Sequence, residues 1–314
     1  MGNNGSLSIG SSIRVAAKKG YPVDLEGILM RQGVMQYLNE PGKSGMTAIY
    51  KACEYGQAEC VKLLIKYKAD MDLCEFTNNC SPLMTSILTG HDDCAYLLIE
   101  AGCKLDLVTQ DGATALFYAT LMRKSDLVEA ICNKGANLEI SSHQGVTALS
   151  LAAEKGYHEI VVTLCKKGTN IAAWDGLSGN TALHKASESG HLEVVRILVE
   201  NGAGVEAANK SADAATPLYL AAAEGHAEVV EYLLSKGANS NVGKVTSPLY
   251  LAAYTGNIQM ITCLLAHGAA VDFTHAVDGS TPLMSAVLKK SLECVQLLLA
   301  NHADKTIVAK DGQT

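Results

Sequence analysis

Hydrophobic and polar residues alternate along this chain in a pattern that repeats itself. A cap-forming Thr or Ser is followed by a short apolar run, a polar break, a second apolar run with leucine or valine three and four residues apart, and then about ten polar, turn-rich residues. The segments "TAIYKA" at 47, "SPLMTS" at 81, "TALFYA" at 114, "TALSLA" at 147, "TALHKA" at 181, "TPLYLA" at 216, "SPLYLA" at 247 and "TPLMSA" at 281 open eight such units. Their starts are separated by 34, 33, 33, 34, 35, 31 and 34 residues, and Thr314 falls 33 after the last. Spacing of this kind predicts one small supersecondary unit copied many times, rather than one large core.

Each unit is read from its Thr or Ser as offset 0. That hydroxyl can accept from the free N–H groups of a helix start. Offset 1 is Pro in four copies (Pro82, Pro217, Pro248, Pro282), where its fixed φ suits the first helical turn. Offset 9 is Gly in six copies and offset 21 is Gly in six, each placed to end a helix. The predicted unit is therefore helix, turn, helix and an extended finger. Arg123 and Lys290 replace Gly at offset 9, so those turns must bend differently or carry strain if their φ is positive.

The T-P-L-H-x-A signature, the two glycines and the period resemble the ankyrin repeat family. The clearest copy is "TPLYLAAAEGHAEVVEYLLSKGAN", Thr216 to Asn239. A divergent copy, "SSIRVAAKKGYPVDLEGILMRQG" from Ser11, places Ala16, Ala17 and Gly20 at matching positions and reads as an N-terminal capping repeat. The expected organisation is a leader over residues 1–10, a capping repeat over 11–46, eight repeats over 47–313 and the start of a further repeat at 314. The expected fold is an all-α repeat solenoid of stacked helix-turn-helix units with β-hairpin-like fingers, since units this small cannot bury their own apolar faces.

Composition adds exclusions. A hydrophobic content of 48% rules out wholesale disorder, and a formal charge of −7 argues against nucleic acid as a partner. No stretch reaches the roughly 18 consecutive apolar residues of a membrane span. The ten cysteines include no CxxC pair, a reduced, intracellular pattern, so a cytoplasmic protein is expected, with the nucleus also open. Cys60, Cys94 and Cys294 share offset 13 with apolar residues and are read as core; Cys74 and Cys80 fall on a finger, without a basic neighbour in sequence to activate them.

No catalytic chemistry emerges. "PGKSG" at 41 lacks the glycine spacing of a phosphate loop, with Tyr37 where the first Gly belongs. His91, His191 and His226 recur at offset 10, which marks a repeated structural role, and no His/Cys set has metal-ligand spacing. Neither enzyme, cofactor nor metal is expected.

Binding is the remaining expectation. Offsets 7 and 8 vary from copy to copy, so stacking does not dictate them. In proteins that these repeats resemble, that end of the first helix and the fingers line a concave surface that grips partner proteins. The residues singled out are Tyr55, Leu88, Leu121, Met122, Lys155, Tyr254 and Leu288 on the helix ends, with Trp174 and Phe273 on the fingers. The alternative for each apolar residue is packing against a neighbouring helix or finger. The expected protein is a monomeric adaptor for proteins or peptides. Two alternatives stay open: a regulatory or targeting arm of a longer enzyme, channel or ubiquitin-ligase subunit, and a membrane-tethered adaptor. "MGNNGS" fits M-G-x-x-x-[ST] and makes Gly2 a myristoylation candidate for the latter.

Overall fold

The computed structural model describes residues 8–314, which divide into two compact units, residues up to His143 and residues from Gln144 onward. Gly2 lies outside the described residues. In the first unit the helices are α1 (Ile9–Lys19), α2 (Pro22–Leu29), α3 (Ala48–Glu54), α4 (Ala58–Lys66), α5 (Pro82–Leu88), α6 (Asp92–Ala101), α7 (Ala115–Leu121) and α8 (Ser125–Asn133). First helices stack in the order α1, α3, α5, α7 and second helices in the order α2, α4, α6, α8. In the second unit they are α9 (Ala148–Glu154), α10 (His158–Lys166), α11 (Ala182–Glu188), α12 (Leu192–Glu200), α13 (Pro217–Ala223), α14 (Ala227–Ser235), α15 (Pro248–Thr255), α16 (Ile258–Ala266), α17 (Pro282–Leu288) and α18 (Leu292–Ala300). They stack in the same two columns, odd on odd and even on even.

The helices form where the repeat places them, for the reasons the sequence supplies. The hydroxyls of Thr47, Ser81, Thr114, Thr147, Thr216, Ser247 and Thr281 each accept from the backbone N–H three residues on. In the divergent first copy the cap is Ser8, which accepts from the Ser11 N–H, so α1 begins two residues ahead of Ser11. One short 3-10 turn, Met35–Tyr37, follows α2. Cys60, Cys94 and Cys294 are buried in the cores, as their shared offset implies.

Glycine turns set the spacing between the columns, and four side chains stand in for glycine. Arg123 and Lys290 at offset 9 have φ of 53° and 57°, and Lys68 and His302 at offset 21 have 63° and 66°. These turns keep the left-handed geometry of their glycine counterparts. They do not bend differently; they carry the steric cost of a Cβ in that conformation.

Fingers are held by side chains more than by strands. Among the described residues the only isolated bridge pairs Trp174 with Thr181. A backbone bond joins successive fingers, from Phe76 N to Ser44 O (3.0 Å), Gln110 N to Asn78 O (2.9 Å), Lys210 N to Ser178 O (2.8 Å) and Lys310 N to Asp278 O (2.8 Å). A second rung runs from a side chain at offset 25 to the backbone N–H at offset 23 of the next copy. Asp72 accepts from Lys104 N at 2.8 Å, Asp106 from Asn137 N at 2.9 Å, Glu206 from Asn239 N at 2.8 Å and Asp272 from Asp304 N at 2.8 Å. At the corresponding place between Ala172 and Gly204 the acceptor side chain is missing.

The irregular spacings of 35 and 31 residues also have a local explanation. The long finger before Thr216 brings in Asp213. One of its oxygens accepts from Val245 N at 2.7 Å, where other fingers use a backbone carbonyl. The other accepts from the Tyr219 hydroxyl at 2.7 Å. Burial and this bond push the Tyr219 phenol above its ordinary pKa.

Candidate functional site

In the first unit, Leu88 and Leu121 end α5 and α7, and Tyr55 and Met122 follow α3 and α7 directly. A first helix of seven residues makes fewer than two full turns, so its last residue and cap project beyond the core. All four are exposed, Leu121 and Met122 each by 40%. Because α3, α5 and α7 are successive neighbours, these ends form one apolar edge. The Lys18 ammonium lies 4.6 Å from the Tyr55 ring centroid, and Lys51, ion-paired to Glu54 at 2.6 Å, lies 5.8 Å away. The edge is therefore apolar along its length and cationic at its α1 end.

The second unit places its candidates less continuously. Lys155 caps α9 and pairs with Glu154 at 3.1 Å. Tyr254 lies in the last turn of α15, with the Lys289 ammonium 3.9 Å from its ring centroid, and Leu288 precedes that lysine in α17. Tyr254, Leu288 and Lys289 thus share one patch. Phe273 is half-buried, and its N–H donates to Ala270 O at 3.3 Å.

Trp174 sits on a finger, 60% exposed. Lys210, from the following finger, covers one face of the indole at 4.0 Å. The ring is thus both stacked on its neighbour and open to solvent on the other side. Beneath it Asp175 is buried, accepting from the N–H groups of Ser178 and Gly179 at 2.7 Å and from the Ser178 hydroxyl at 2.6 Å. Burial alone would raise the Asp175 pKa, but these bonds outweigh it and hold the carboxyl below its ordinary value. Glu75 does the same for the first-unit finger that carries Phe76, through the N–H groups of Thr77 and Asn78 at 2.6 Å. A buried, hydrogen-bonded anion fixes each finger from inside and leaves its aromatic outside.

The histidines at offset 10 have a structural task. His191 and His226 donate through Nε2 to the carbonyls of Glu154 (3.0 Å) and Glu188 (2.9 Å) in the preceding repeat. A Cβ on Gly190 would fall 2.5 Å from the His226 ring, so glycine there serves the contact as well as the turn. His184 was not singled out by spacing, although "TALH" displays it at offset 3. It is fully buried, with Nδ1 2.8 Å from the Thr181 hydroxyl and Nε2 donating to Ala215 O at 3.1 Å.

Thiol chemistry is suppressed. Burial pushes the half-buried Cys74 thiol up to about 11, and raises Cys80 on the same finger above its ordinary value. Among the described residues no group of three or more His, Cys, Asp or Glu side chains is arranged to hold a metal ion, and no helix is long and apolar enough to cross a membrane.

Comparison with known proteins accords with this geometry. The family model for ankyrin repeats matches residues 13–109, 90–175, 170–244 and 239–309. The chain is 35% identical over 83 residues to glycerophosphocholine phosphodiesterase gde1 of Schizosaccharomyces pombe, covering 26% of this chain and 7% of that protein. It is 30% identical over 108 residues to human ankyrin repeat domain-containing protein 63, covering 33% and 28%. To mouse protein phosphatase 1 regulatory subunit 27 it is 40% identical over 69 residues, covering 22% and 44%. The match thus spans less than half the length of each of these relatives.

Proposed function

The chain belongs to the ankyrin repeat family, and on that footing we propose that it is a non-catalytic adaptor that binds partner proteins through its first-helix ends and fingers. The observation that carries this reading is the apolar edge Tyr55, Leu88, Leu121 and Met122. These positions vary between copies and stay exposed although offset 6 just before them, Cys53, Ile87 and Thr120, is fully buried. Apolar side chains in a row on a water-facing edge gain from being covered by another protein. Trp174, Tyr254 and Leu288 supply anchors in the second unit, where large rings carry much of a typical interface's energy. Lys155 and Phe273 belong to the rim of that surface. The net charge of −7 favours proteins over nucleic acid as partners. One of the relatives bears the name of a phosphatase regulatory subunit, which accords with a regulatory rather than a catalytic role.

The test is a pulldown from cell extract with the wild type beside a Leu121→Ser, Met122→Ser, Trp174→Ser variant whose circular dichroism and melting are unchanged. Loss of partners from the variant is expected. Identical partner sets would reject both the first-unit edge and the Trp174 finger as binding sites. A lipid tether at Gly2 is a separate reading, supported by the motif alone, and fractionation of Gly2→Ala against wild type decides it.

A further inference from the structure

The charge of the first unit is divided between its two helix columns. The first helices α1, α3, α5 and α7 carry four cations, Arg14, Lys18, Lys19 and Lys51, against one carboxylate, Glu54. The second helices α2, α4, α6 and α8 carry eight carboxylates against two lysines, Lys62 and Lys66. The formal charge of −7 is therefore unevenly spread, and the apolar edge lies on the cationic column. Counted from Ser11, Lys18 and Lys19 take offsets 7 and 8, the positions that Tyr55, Leu88, Leu121 and Met122 occupy in the copies that follow. One edge thus runs from two ammonium groups through a tyrosine to leucine and methionine.

Which of these charges the chain already neutralises decides what can cover the edge. Lys51 and Glu54 pair at 2.6 Å, and Arg14 reaches the Glu40 carbonyl at 2.6 Å and its carboxylate at 3.6 Å. Lys18 and Lys19 have no carboxylate partner among the described residues. The Lys18 ammonium stands 4.6 Å from the Tyr55 ring centroid and that of Lys19 stands 5.9 Å from the Tyr21 centroid. A protein that covers the Tyr55 ring also covers the ammonium beside it. Burying that charge without a counter-charge works against the gain from covering the ring, and a carboxylate on the partner removes the cost. The arrangement recurs in the second unit, where the Lys210 ammonium lies 4.0 Å from Trp174 and the Lys289 ammonium 3.9 Å from Tyr254. Neither lysine has a carboxylate partner among the described residues, so each exposed ring of the proposed binding surface carries an ammonium that the chain leaves without a counter-charge.

We propose that the occupant of the first-unit edge is an acidic peptide segment, with apolar residues over Tyr55, Leu88 and Leu121 and at least one Asp or Glu at the Lys18 and Lys19 end. This rests on the reading of that edge as a binding surface, and adds the partner's chemistry and direction. Neighbouring helices pack about 8–10 Å apart and an extended chain rises about 3.3 Å per residue, so apolar side chains about three residues apart reach successive helix ends. The divided charge steers such a segment toward the first-helix column and away from the second.

The test selects a random library of peptides of about twelve residues, displayed on phage, against the full chain. Two variants with unchanged circular dichroism accompany it, Lys18→Glu with Lys19→Glu, and Leu88→Ser with Leu121→Ser. Peptides enriched on the wild type are expected to carry an acidic residue at one end of an apolar run. They should bind the charge-reversed variant at least about tenfold more weakly, and raising the salt from about 50 to about 500 mM should weaken their binding to the wild type. Peptides that depend on the two leucines but show no acidic bias, or bind the charge-reversed variant equally, would overturn the acidic partner and leave the edge as a binding surface. If no enriched peptide depends on the two leucines, both readings fall. Sedimentation with phosphatidylserine vesicles, lost in the charge-reversed variant, would then assign the two lysines to a lipid surface instead.

Discussion

The Lys210 ammonium stands 4.0 Å from the centroid of the Trp174 ring, one finger's side chain laid over the next. A cation over an indole at an exposed site contributes about 0.5–1 kcal/mol and shields one ring face from solvent. Lys210→Ala should therefore lower stability by about 0.5 kcal/mol and raise the acrylamide quenching constant of the fluorescence. Trp174 is the only tryptophan, so the signal is unambiguous. Quenching identical to wild type would show that the lysine does not cover the ring in solution.

Left-handed side chains offer a second test. Lys290 and Lys68 hold φ of 57° and 63° where other copies place glycine. A Cβ in that conformation costs about 1–2 kcal/mol, partly offset because glycine gains freedom in the unfolded chain. Lys290→Gly and Lys68→Gly should each raise stability by about 0.5–1 kcal/mol, read as a higher urea midpoint at unchanged slope. Lower midpoints would mean that these lysines make contacts worth more than the strain.

The finger ladder predicts one gain and one loss. Glu206 accepts from the Asn239 N–H at 2.8 Å, and Glu206→Ala should cost about 1–2 kcal/mol because a charged acceptor is removed. Ala172 occupies the same offset one repeat earlier, facing the position of Gly204. Ala172→Asp should add the missing rung and stabilise by about 0.5–1.5 kcal/mol. Urea titrations of both variants check the pair, and a loss in the second would show that the ladder's geometry is not kept there.

These elements show what a single sequence exposes and what it conceals. The helix starts, the glycine turns and the core cysteines were legible because each is dictated by an interaction repeated in every copy, so comparing copies isolates it. The exposure of Leu88 and Leu121 was legible for the opposite reason, as variation at fixed offsets. Lys18 over Tyr55, Lys210 over Trp174 and Lys289 over Tyr254 were not, because each pairs residues in adjacent repeats and occurs without a shared offset. Asp175 and Glu75 share an offset, but their role appears only when the finger curls back onto the carboxylate. Asp213 was hidden by the irregular spacing that it repairs.

His184 makes stability depend on pH. Burial lowers its pKa below the ordinary 6.5, against the opposing pull of the Ala215 carbonyl, so it stays neutral in the folded state while the unfolded chain binds a proton. Below pH 6.5 the unfolded state therefore gains protons that the folded state does not, and stability falls with pH until the folded-state pKa is passed. The buried carboxylates Asp175 and Glu75, whose pKa values are lowered, act in a separate window: their stabilisation is lost only as pH falls below the carboxylate range. Chemical denaturation at pH 7.5, 6.5 and 5.5 should show a decline in the wild type that is reduced in His184→Ser, whatever that variant's own stability. An equal slope in both proteins would assign the decline to other groups.

Thiol reactivity gives the last test, since Cys74 and Cys80 lie on one finger of the first unit. The Cys74 pKa is pushed from 9.0 up to about 11 by burial, with Cys80 and nearby carboxylates adding to the effect. Reaction with an alkylating agent requires the thiolate, and a rise of two pKa units lowers its fraction about a hundredfold at neutral pH. Iodoacetamide at pH 7.5 should therefore label Cys74 in the folded protein at least about tenfold more slowly than in protein unfolded in urea, by peptide mass spectrometry. Labelling at the unfolded rate would mean that the finger opens faster than the reagent reacts, and that Glu75 does not hold it closed.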